Sequence, residues 1–208
     1  FADAPEKGRR PARPGALPDA SPAAASLAAD VERLKAELRL AWARIVELEA
    51  RADIDPLLDL VNRRGFEREL ARSIAYVKRY GTDAVLVYLD LDGFKAVNDG
   101  YGHAAGDELL RTVAAVLTGS VRASDVVARL GGDEFVVLMW NVSEAHAVPK
   151  ARDLERAVGA ASIVRDGAVL SVGASAGVAA LSPLDTPEQA IDAADRAMYI
   201  RKREKAAG

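Results

Sequence analysis

The chain has 208 residues, half of them hydrophobic and 28% charged, which is enough for one ordinary core with appendages. Its 28 Lys and Arg against 31 Asp and Glu give a net charge of −3, so no broad basic face for nucleic acid is expected. The absence of cysteine excludes disulfides, thiolate nucleophiles and cysteine-ligated metals, and two histidines are too few for a histidine-rich zinc site. The longest apolar run, Ala84 to Leu89, is far shorter than the ~20 residues of a membrane helix. The sequence begins at Phe1 and not at a methionine, which is consistent with a fragment of a longer protein.

The N-terminal part divides into a proline-rich segment and a heptad pattern. Residues 1–24 are rich in Pro and Ala and are expected to be a disordered tail. Residues 25–53 repeat apolar side chains at alternating spacings of four and three, which predicts a parallel dimeric coiled-coil helix. The seam residues are Leu27, Val31, Leu34, Leu38, Ala41, Ile45, Leu48 and Ala52. The alternative is an amphipathic helix packed on its own domain.

Residues 54–208 are predicted to form one globular domain, which begins where the heptad pattern breaks at Asp55-Pro56. Strand-like and helical patterns follow in the order α-β-α-β-β-α-β-α, and Gly131-Gly132 between two strand-like runs indicates a hairpin. The predicted strands cover 84–90, 126–130, 135–140 and 169–178, and the predicted helices include 109–117, 145–158 and a last helix from 187. This order predicts an α/β fold, an α+β sandwich whose central mixed sheet is flanked by helices and preceded by the long helix.

Carboxylates lie where two of the predicted strands end. Asp90 and Asp92 close the first strand, and Asp133 and Glu134 follow the glycines of the hairpin. If the two strands are neighbours, Asp90 and Asp133 converge, and their hard oxygens suit Mg²⁺ or Mn²⁺ carried in with substrate phosphates. Taken singly, an aspartate at a strand end or turn is more often a solvated cap, so the argument depends on the combination.

Two stretches of the domain resemble the signature motifs of a known family. Residues 90–107 read DLDGFKAVNDGYGHAAGD and residues 129–135 read RLGGDEF, which is similar to the GGDEF domain of diguanylate cyclases. Weaker matches at 55–66, 175–179 and 194–202 extend the resemblance over nearly everything from Asp55 to the C-terminus. The resemblance implies condensation of two GTP into cyclic di-GMP and pyrophosphate, in the bacterial cytoplasm, by a homodimer in which each domain holds one GTP.

The same resemblance implies roles for individual residues. Asp90, the backbone carbonyl of Leu91 and Asp133 would hold Mg²⁺ or Mn²⁺, and Glu134 would lie near the metal and the ribose as a candidate general base. Asn98 and Asp107 would select guanine, because a carboxylate accepts from guanine N–H groups that adenine does not present. The implied substrate-binding residues are Phe94, Lys95, Asn98, Asp107, Gly131 and Gly132, and Lys202 completes the catalytic set with Asp90, Asp133 and Glu134. Taken alone, Lys202 is typical of a solvated helix end.

A second site is implied by Arg122-Ala-Ser-Asp125, which matches the family's RxxD product-inhibition motif in sequence and in spacing from Gly131. The strand between them spans roughly 20 Å, so an allosteric site for cyclic di-GMP would be separate from the active site. Arg152 and Arg156 are candidates to complete it. An isolated RxxD pair is otherwise a local surface ion pair.

The chain departs from the family pattern at two places. Leu58-Asp59 stands where Thr-Gly is common, and Lys205-Ala206 replaces the Gly-Arg that follows the closing-helix lysine, so one phosphate contact falls to Arg203 or Lys205 or is lost. The alternatives to a cyclase are a catalytically silent GGDEF domain that acts as a receptor of cyclic di-GMP, and a structural dimer scaffold whose N-terminal tail binds a partner. A regulatory protein on the coiled coil is a further expected partner.

Overall fold

The computed structural model describes residues 22–207, apart from the side chains of several residues in the first helix. The chain divides into two units, with the boundary between Glu47 and Leu48. Most of the predicted tail, 1–24, lies outside the described residues, and its last three residues belong to the helix that begins at Pro22. None of the described helices has both the length and the apolarity needed to cross a membrane.

Helix α1 runs from Pro22 to Ala52. The described seam residues are all exposed, namely Leu27, Val31, Leu34, Leu38, Ala41 and Ala52, as are Leu40 and Trp42 outside the seam. The side chains of Ile45 and Leu48 are outside the described part. Ion pairs within the helix stabilise its polar surface, among them Arg33 with Glu37 at 3.0 Å and Lys35 with Glu32 at 2.8 Å.

The second unit is a layered α+β domain, which confirms the predicted fold class. A five-stranded sheet is formed by β1 (Val61–Asn62), β2 (Ala84–Asp92), β3 (Val126–Gly131), β4 (Glu134–Trp140) and β7 (Gly173–Ala180). Its strand order is β1-β3-β4-β2-β7, in which β1 pairs with β3 in parallel and the other pairs are antiparallel. The helices are α2 (Arg63–Tyr80), α3 (Phe94–Tyr101), α4 (His103–Gly119), α5 (Glu144–Ala160) and α6 (Pro187–Ala207).

Each face of the sheet has its own apolar core. Side chains such as Leu86 on β2 pack with α2 and α6, whereas those such as Leu89 pack with α3, α4 and α5. Because side chains alternate along a strand, Asp90 shares the α2 and α6 face with Leu86. This alternation determines which helix supplies the partners of Asp90.

Local capping explains where α2 begins and ends. The Asn62 side chain accepts a hydrogen bond from the Gly65 amide at 3.0 Å, and Gly81 ends the helix in the left-handed conformation with a φ of 65°. In the sequence, Phe66, Leu70, Ile74 and Val77 have helical spacing and Gly81 follows them, which predicts a helix that ends at this glycine, as the structure confirms.

Two predicted elements differ from the structure. The strand predicted over 169–178 is two strands, because β6 (Ala168–Ser171) pairs with β5 (Ser162–Arg165) in a separate hairpin while β7 pairs with β2. The helix predicted over 109–117 already begins at His103 and follows the separate helix α3. In the first case, pairing with two different partner strands divides one apolar run. In the second case, Gly102 separates α3 from α4.

Candidate active site

The end of β2 and the start of β4 bring two predicted carboxylates together. Asp90 is directly paired with Glu134 in the antiparallel register, so both side chains project from the same face. The amide of Leu91 donates to the backbone carbonyl of Asp133 at 3.2 Å, which ties the end of β2 to the hairpin turn. Asp90 at the end of β2 and Asp133 in the turn before β4 are therefore close along the backbone, as the metal prediction requires.

Arg129 clamps the glycine turn between β3 and β4. Its guanidinium donates to the Gly132 carbonyl at 2.7 and 3.1 Å and pairs with Asp55 at 3.1 Å. Gly132 has a φ of +49°, a conformation that glycine adopts without strain. These contacts tie Arg129 to the turn, in which Gly131 and Gly132 are exposed.

Lys202 on α6 reaches the same edge of the sheet. Its ammonium donates a hydrogen bond to Asp90 and lies 3.8 Å from Asp92. Burial alone would lower the pKa of Lys202, but the hydrogen bond and the charges of Asp90, Asp92 and Asp133 raise it. Lys202 is thus a permanent cation among the carboxylates, not a solvated helix end.

Glu134 has two further neighbours that the sequence did not single out. Arg63 on α2 lies 3.7 Å from the Glu134 carboxylate. Tyr88 is buried two residues before Asp90 on the same face of β2, and its hydroxyl hydrogen-bonds Glu134. Burial, this hydrogen bond and the charges of Glu134 and Asp195 raise the pKa of Tyr88, so it is a neutral donor at physiological pH.

The donor set suits a divalent cation that arrives with a phosphate ligand. The carboxylates of Asp90 and Asp133 and the carbonyl of Leu91 are hard oxygen donors, which Mg²⁺ and Mn²⁺ prefer, and Mg²⁺ is usually held by one or two carboxylates plus substrate phosphates. Across residues 22–207, no group of three or more Asp, Glu, His or Cys side chains is arranged as a metal site.

The predicted guanine readers lie on successive helices. Asn98 on α3 is packed so closely on Gly106 of α4 that a Cβ at Gly106 would overlap the Asn98 side-chain oxygen. Asp107, the next residue along α4, is half-buried, as is Asn98. The structure thus places the two predicted readers on adjoining turns.

Phe94 and Lys95 open α3 in different environments. The Phe94 side chain is buried in the core, so its predicted substrate contact would come from its backbone, whereas Lys95 is exposed and free to turn toward a ligand. His103 is exposed at the start of α4. Asp92 accepts from the Ser175 hydroxyl at 2.9 Å, which links the end of β2 to β7.

Comparison with known proteins places this site in a family. The model of the diguanylate cyclase GGDEF domain matches residues 52–207. The chain belongs to this family. It is 34% identical over 173 residues to diguanylate cyclase DgcP and 38% identical over 185 residues to diguanylate cyclase TpbB, both from Pseudomonas aeruginosa. These alignments cover 83% and 86% of the chain but only 26% and 42% of the relatives' lengths.

Solved structures agree with this assignment. The coiled coil and GGDEF domain of DgcB from Caulobacter crescentus, in complex with c-di-GMP, superposes with a TM-score of 0.72 and 28% identity, covering 86% of this chain and 95% of that one. Diguanylate cyclase SiaD in complex with its activator SiaC, from Pseudomonas aeruginosa, superposes with a TM-score of 0.70 and 30% identity, covering 86% of this chain and 72% of that one. The fold of the GGDEF domain is therefore shared with relatives bound to a nucleotide and to a protein activator.

Behind the GGDEF site, Glu155 on α5 anchors the end of α6. This carboxylate is buried, accepts from the Ala176 amide at 2.8 Å and lies 3.2 Å from Lys205 and 3.5 Å from Arg201. Lys205 also donates to the Ala174 carbonyl and lies 3.9 Å from Asp92, whereas none of the contacts described at this edge involves Arg203. Of the two candidates for the missing phosphate contact, Lys205 is the one directed toward the site.

The RxxD residues lie at the opposite end of β3 from the glycine turn, as predicted. Asp125 accepts from the amides of Arg122 at 3.0 Å and Trp140 at 3.2 Å, and both RxxD residues line a cavity of about 430 Å³. The same cavity is lined by His146 and Lys150. Arg152 and Arg156 do not line it, and they pair instead with Glu155 and Asp153 on their own helix.

The residues that sequence reasoning missed differ in how detectable they are. Tyr88 follows the same two-residue alternation as Asp90, so the strand pattern already places both on one face of β2. Arg63 and Glu155 carry no such signal, because their contacts are made between elements that are distant in sequence.

Proposed function

We propose that the chain is a diguanylate cyclase that condenses two GTP into one cyclic di-GMP and two pyrophosphates. The observation that carries this proposal is the convergence of Asp90, Asp133 and Lys202 at one sheet edge. Curated relatives named diguanylate cyclases support it. The chain spans less than half of the length of those relatives. The activity of a longer protein that contains this chain is therefore also part of the proposal.

The reaction needs two equivalent displacements. The 3′-oxygen of each GTP bonds to the α-phosphorus of the other, the bond from that phosphorus to the bridging oxygen breaks, and pyrophosphate leaves. Each attacking hydroxyl loses one proton. Glu134, fixed between Tyr88 and Arg63, is the proposed acceptor of that proton.

Asp90, the carbonyl of Leu91 and Asp133 would hold Mg²⁺ or Mn²⁺, which supplies charge neutralisation of the triphosphate and a more acidic hydroxyl. Lys202 would bind the phosphates from α6. We assign the second α6 contact to Lys205, since Glu155 and the Ala174 carbonyl hold its ammonium beside Asp92. Lys95, Phe94 through its backbone, and the amides of Gly131 and Gly132 would complete the phosphate environment, with Asn98 and Asp107 reading guanine.

Two GTP on two domains require a homodimer, and α1 is its proposed coiled-coil interface. The exposed apolar residues Leu27, Val31, Leu34 and Leu38 support this assignment, as does the coiled coil of DgcB. Replacing Leu34, Leu38 and Ile45 by polar residues is expected to make specific activity fall on dilution. Specific activity that stays constant on dilution would rule out the coil as the dimer interface. The complex of SiaD with its activator SiaC supports a regulatory protein partner, and α1 is the proposed place where such a partner binds.

Arg122 and Asp125 form the proposed allosteric site for the product. Planar guanidinium donors and a carboxylate match guanine, and the cavity around them supports a ligand of this size. Loss of product inhibition in Arg122→Ala, with turnover retained at low product, is the expected result. Undiminished inhibition would remove the site from the proposal.

The proposed function is tested with purified protein incubated with GTP and Mg²⁺, with nucleotides resolved by chromatography and any bound product first removed. Cyclic di-GMP formed by the wild type and absent with Asp133→Ala is the expected result. Binding of cyclic di-GMP without turnover would identify the chain as a receptor instead.

A further inference from the structure

The last turns of α6 direct two lysines toward the sheet edge that carries Asp90. Lys202 and Lys205 are three residues apart in this helix, so they lie on one of its faces. Lys202 donates to Asp90, and its ammonium lies 3.8 Å from one oxygen of Asp92. The Lys205 ammonium lies 3.9 Å from the other oxygen of Asp92. Both cations therefore stand beside the same carboxylate.

Lys205 is difficult to hold in this position from its own helix. Its charge is at the end of a flexible stem of four carbons. The helix ends at Ala207, and the last turn of a helix frays because its carbonyls have no partners within the helix. Lys205 also stands where the family pattern has a glycine, so its contacts belong to this chain and not to that pattern. Contacts from other elements must therefore keep its ammonium in place.

Glu155 on α5 supplies such a contact. Its carboxylate is buried, accepts from the Ala176 amide at 2.8 Å and lies 3.2 Å from the Lys205 ammonium. The Ala174 carbonyl accepts from the same ammonium. Ala174 and Ala176 are two residues apart on β7, which is the last strand of the sheet. The ammonium is thus fixed between α5, α6 and the open edge of β7.

The burial of Glu155 does not depend on Lys205 alone. A buried carboxylate is costly unless charges and hydrogen bonds compensate it. Arg201 and Arg152 each lie 3.5 Å from Glu155, in addition to the Ala176 amide and Lys205. Lys205 can therefore be replaced without leaving Glu155 unpaired, so that the roles of the two residues are separable by mutation.

We propose that Glu155 is a positioning residue for GTP, which acts by holding Lys205 where the phosphates bind. The inference rests on the proposed function, because that function places the phosphates of GTP beside α6. A phosphate contact that is equally strong before and during the reaction lowers KM without raising kcat. Loss of the Glu155 charge is therefore expected to weaken nucleotide binding and to leave the chemical step nearly unchanged.

Calorimetric titration of the full chain with a GTP analogue tests the inference. The analogue has a methylene group between its α- and β-phosphates, so it binds with Mg²⁺ but cannot release pyrophosphate. Glu155→Gln keeps an acceptor for the Ala176 amide and removes the charge that holds Lys205. Glu155→Gln and Lys205→Met are each expected to weaken binding about tenfold, from loss of one charged contact to phosphate.

A double-mutant cycle separates positioning from a general structural role. Glu155→Gln combined with Lys205→Met is expected to bind like Lys205→Met alone, because Glu155 acts through the lysine. Glu204→Gln is the matched control and is expected to bind like the wild type. It makes the same change one residue before Lys205, on an exposed side chain that also pairs with Arg201.

Two further measurements complete the test. Steady-state formation of cyclic di-GMP is expected to show a KM for GTP raised about tenfold in Glu155→Gln, with kcat changed by less than about twofold. Urea unfolding shows whether each variant is folded under the conditions of the titration. Glu155→Asp, which keeps the charge on a side chain one methylene shorter, takes the place of Glu155→Gln in the cycle if that variant does not fold, with an expected loss of about threefold.

The outcomes separate this inference from the proposed function. If Lys205→Met binds the analogue like the wild type, or if the Glu155 substitution weakens binding equally with and without Lys205, Glu155 is not a positioning residue. If the cycle gives the expected result but the wild type forms no cyclic di-GMP, the positioning role stands and the proposed function is wrong. If the wild type does not bind the analogue, both are wrong.

Discussion

Gly106 and Asn98 are packed so closely that a single methyl group added at Gly106 would overlap the Asn98 side-chain oxygen. The contact joins α3 to α4 where the two proposed guanine readers meet. Glycine lowers the intrinsic stability of a helix. The close approach of Asn98 explains why α4 nevertheless has a glycine at this position.

Gly106→Ala is therefore expected to displace Asn98 and to raise the KM for GTP about tenfold, with a smaller effect on kcat. Steady-state kinetics measure this. Gly100→Ala is the control, because nothing lies within 4 Å of a Cβ at Gly100. An unchanged KM in Gly106→Ala would show that Asn98 does not read the base.

Lys202→Met is expected to reduce kcat about 100-fold, because it removes a cation from the place where phosphate charge develops. The rate of cyclic di-GMP formation at saturating GTP measures the effect. Arg203→Met, an exposed neighbour on α6, is the matched control. Equal rates in both variants would exclude Lys202 from catalysis.

The Tyr88 pKa is raised in the folded state by burial and by Glu134, so the unfolded chain releases this proton at a lower pH. The stabilising contribution is complete below about pH 10, the ordinary pKa of tyrosine, and is lost as the pH rises toward the folded value. Between pH ~8 and pH ~11, the wild type is expected to lose about 1 kcal/mol more unfolding free energy than Tyr88→Phe. Urea unfolding at the two pH values measures this difference, and identical losses would show that the hydroxyl is not held in this environment.

The largely buried pair of Asp55 and Arg129 links the start of the domain to the glycine turn. Asp55→Asn keeps an acceptor for the amides of Leu57 and Leu58 but removes the charge, and it is expected to cost about 2 kcal/mol. Glu108→Gln tests the more exposed pair with Arg165 and should have little effect. Equal losses of urea-unfolding free energy in the two variants would contradict the assigned importance of the Asp55 pair.

Sequence patterns predicted most of this domain where the signal is local. The apolar run before Asp90, the glycine hairpin and the end of α2 at Gly81 each follow from side-chain alternation or from one residue's backbone preference. The division of 169–178 between two sheets was not predictable, because it depends on pairing with β5 and β2. The contacts of Glu134 with Arg63 and of Lys205 with Glu155 likewise depend on helix docking.

The most direct test of the central claim is the stoichiometry of GTP, pyrophosphate and cyclic di-GMP in one reaction of nucleotide-free protein with Mg²⁺. The account predicts two GTP consumed and two pyrophosphates released per cyclic di-GMP, with turnover abolished by Asp133→Asn and kept by Asp99→Asn, an exposed aspartate on α3. Folded wild-type protein that consumes no GTP, or that releases pyrophosphate without forming cyclic di-GMP, would contradict it.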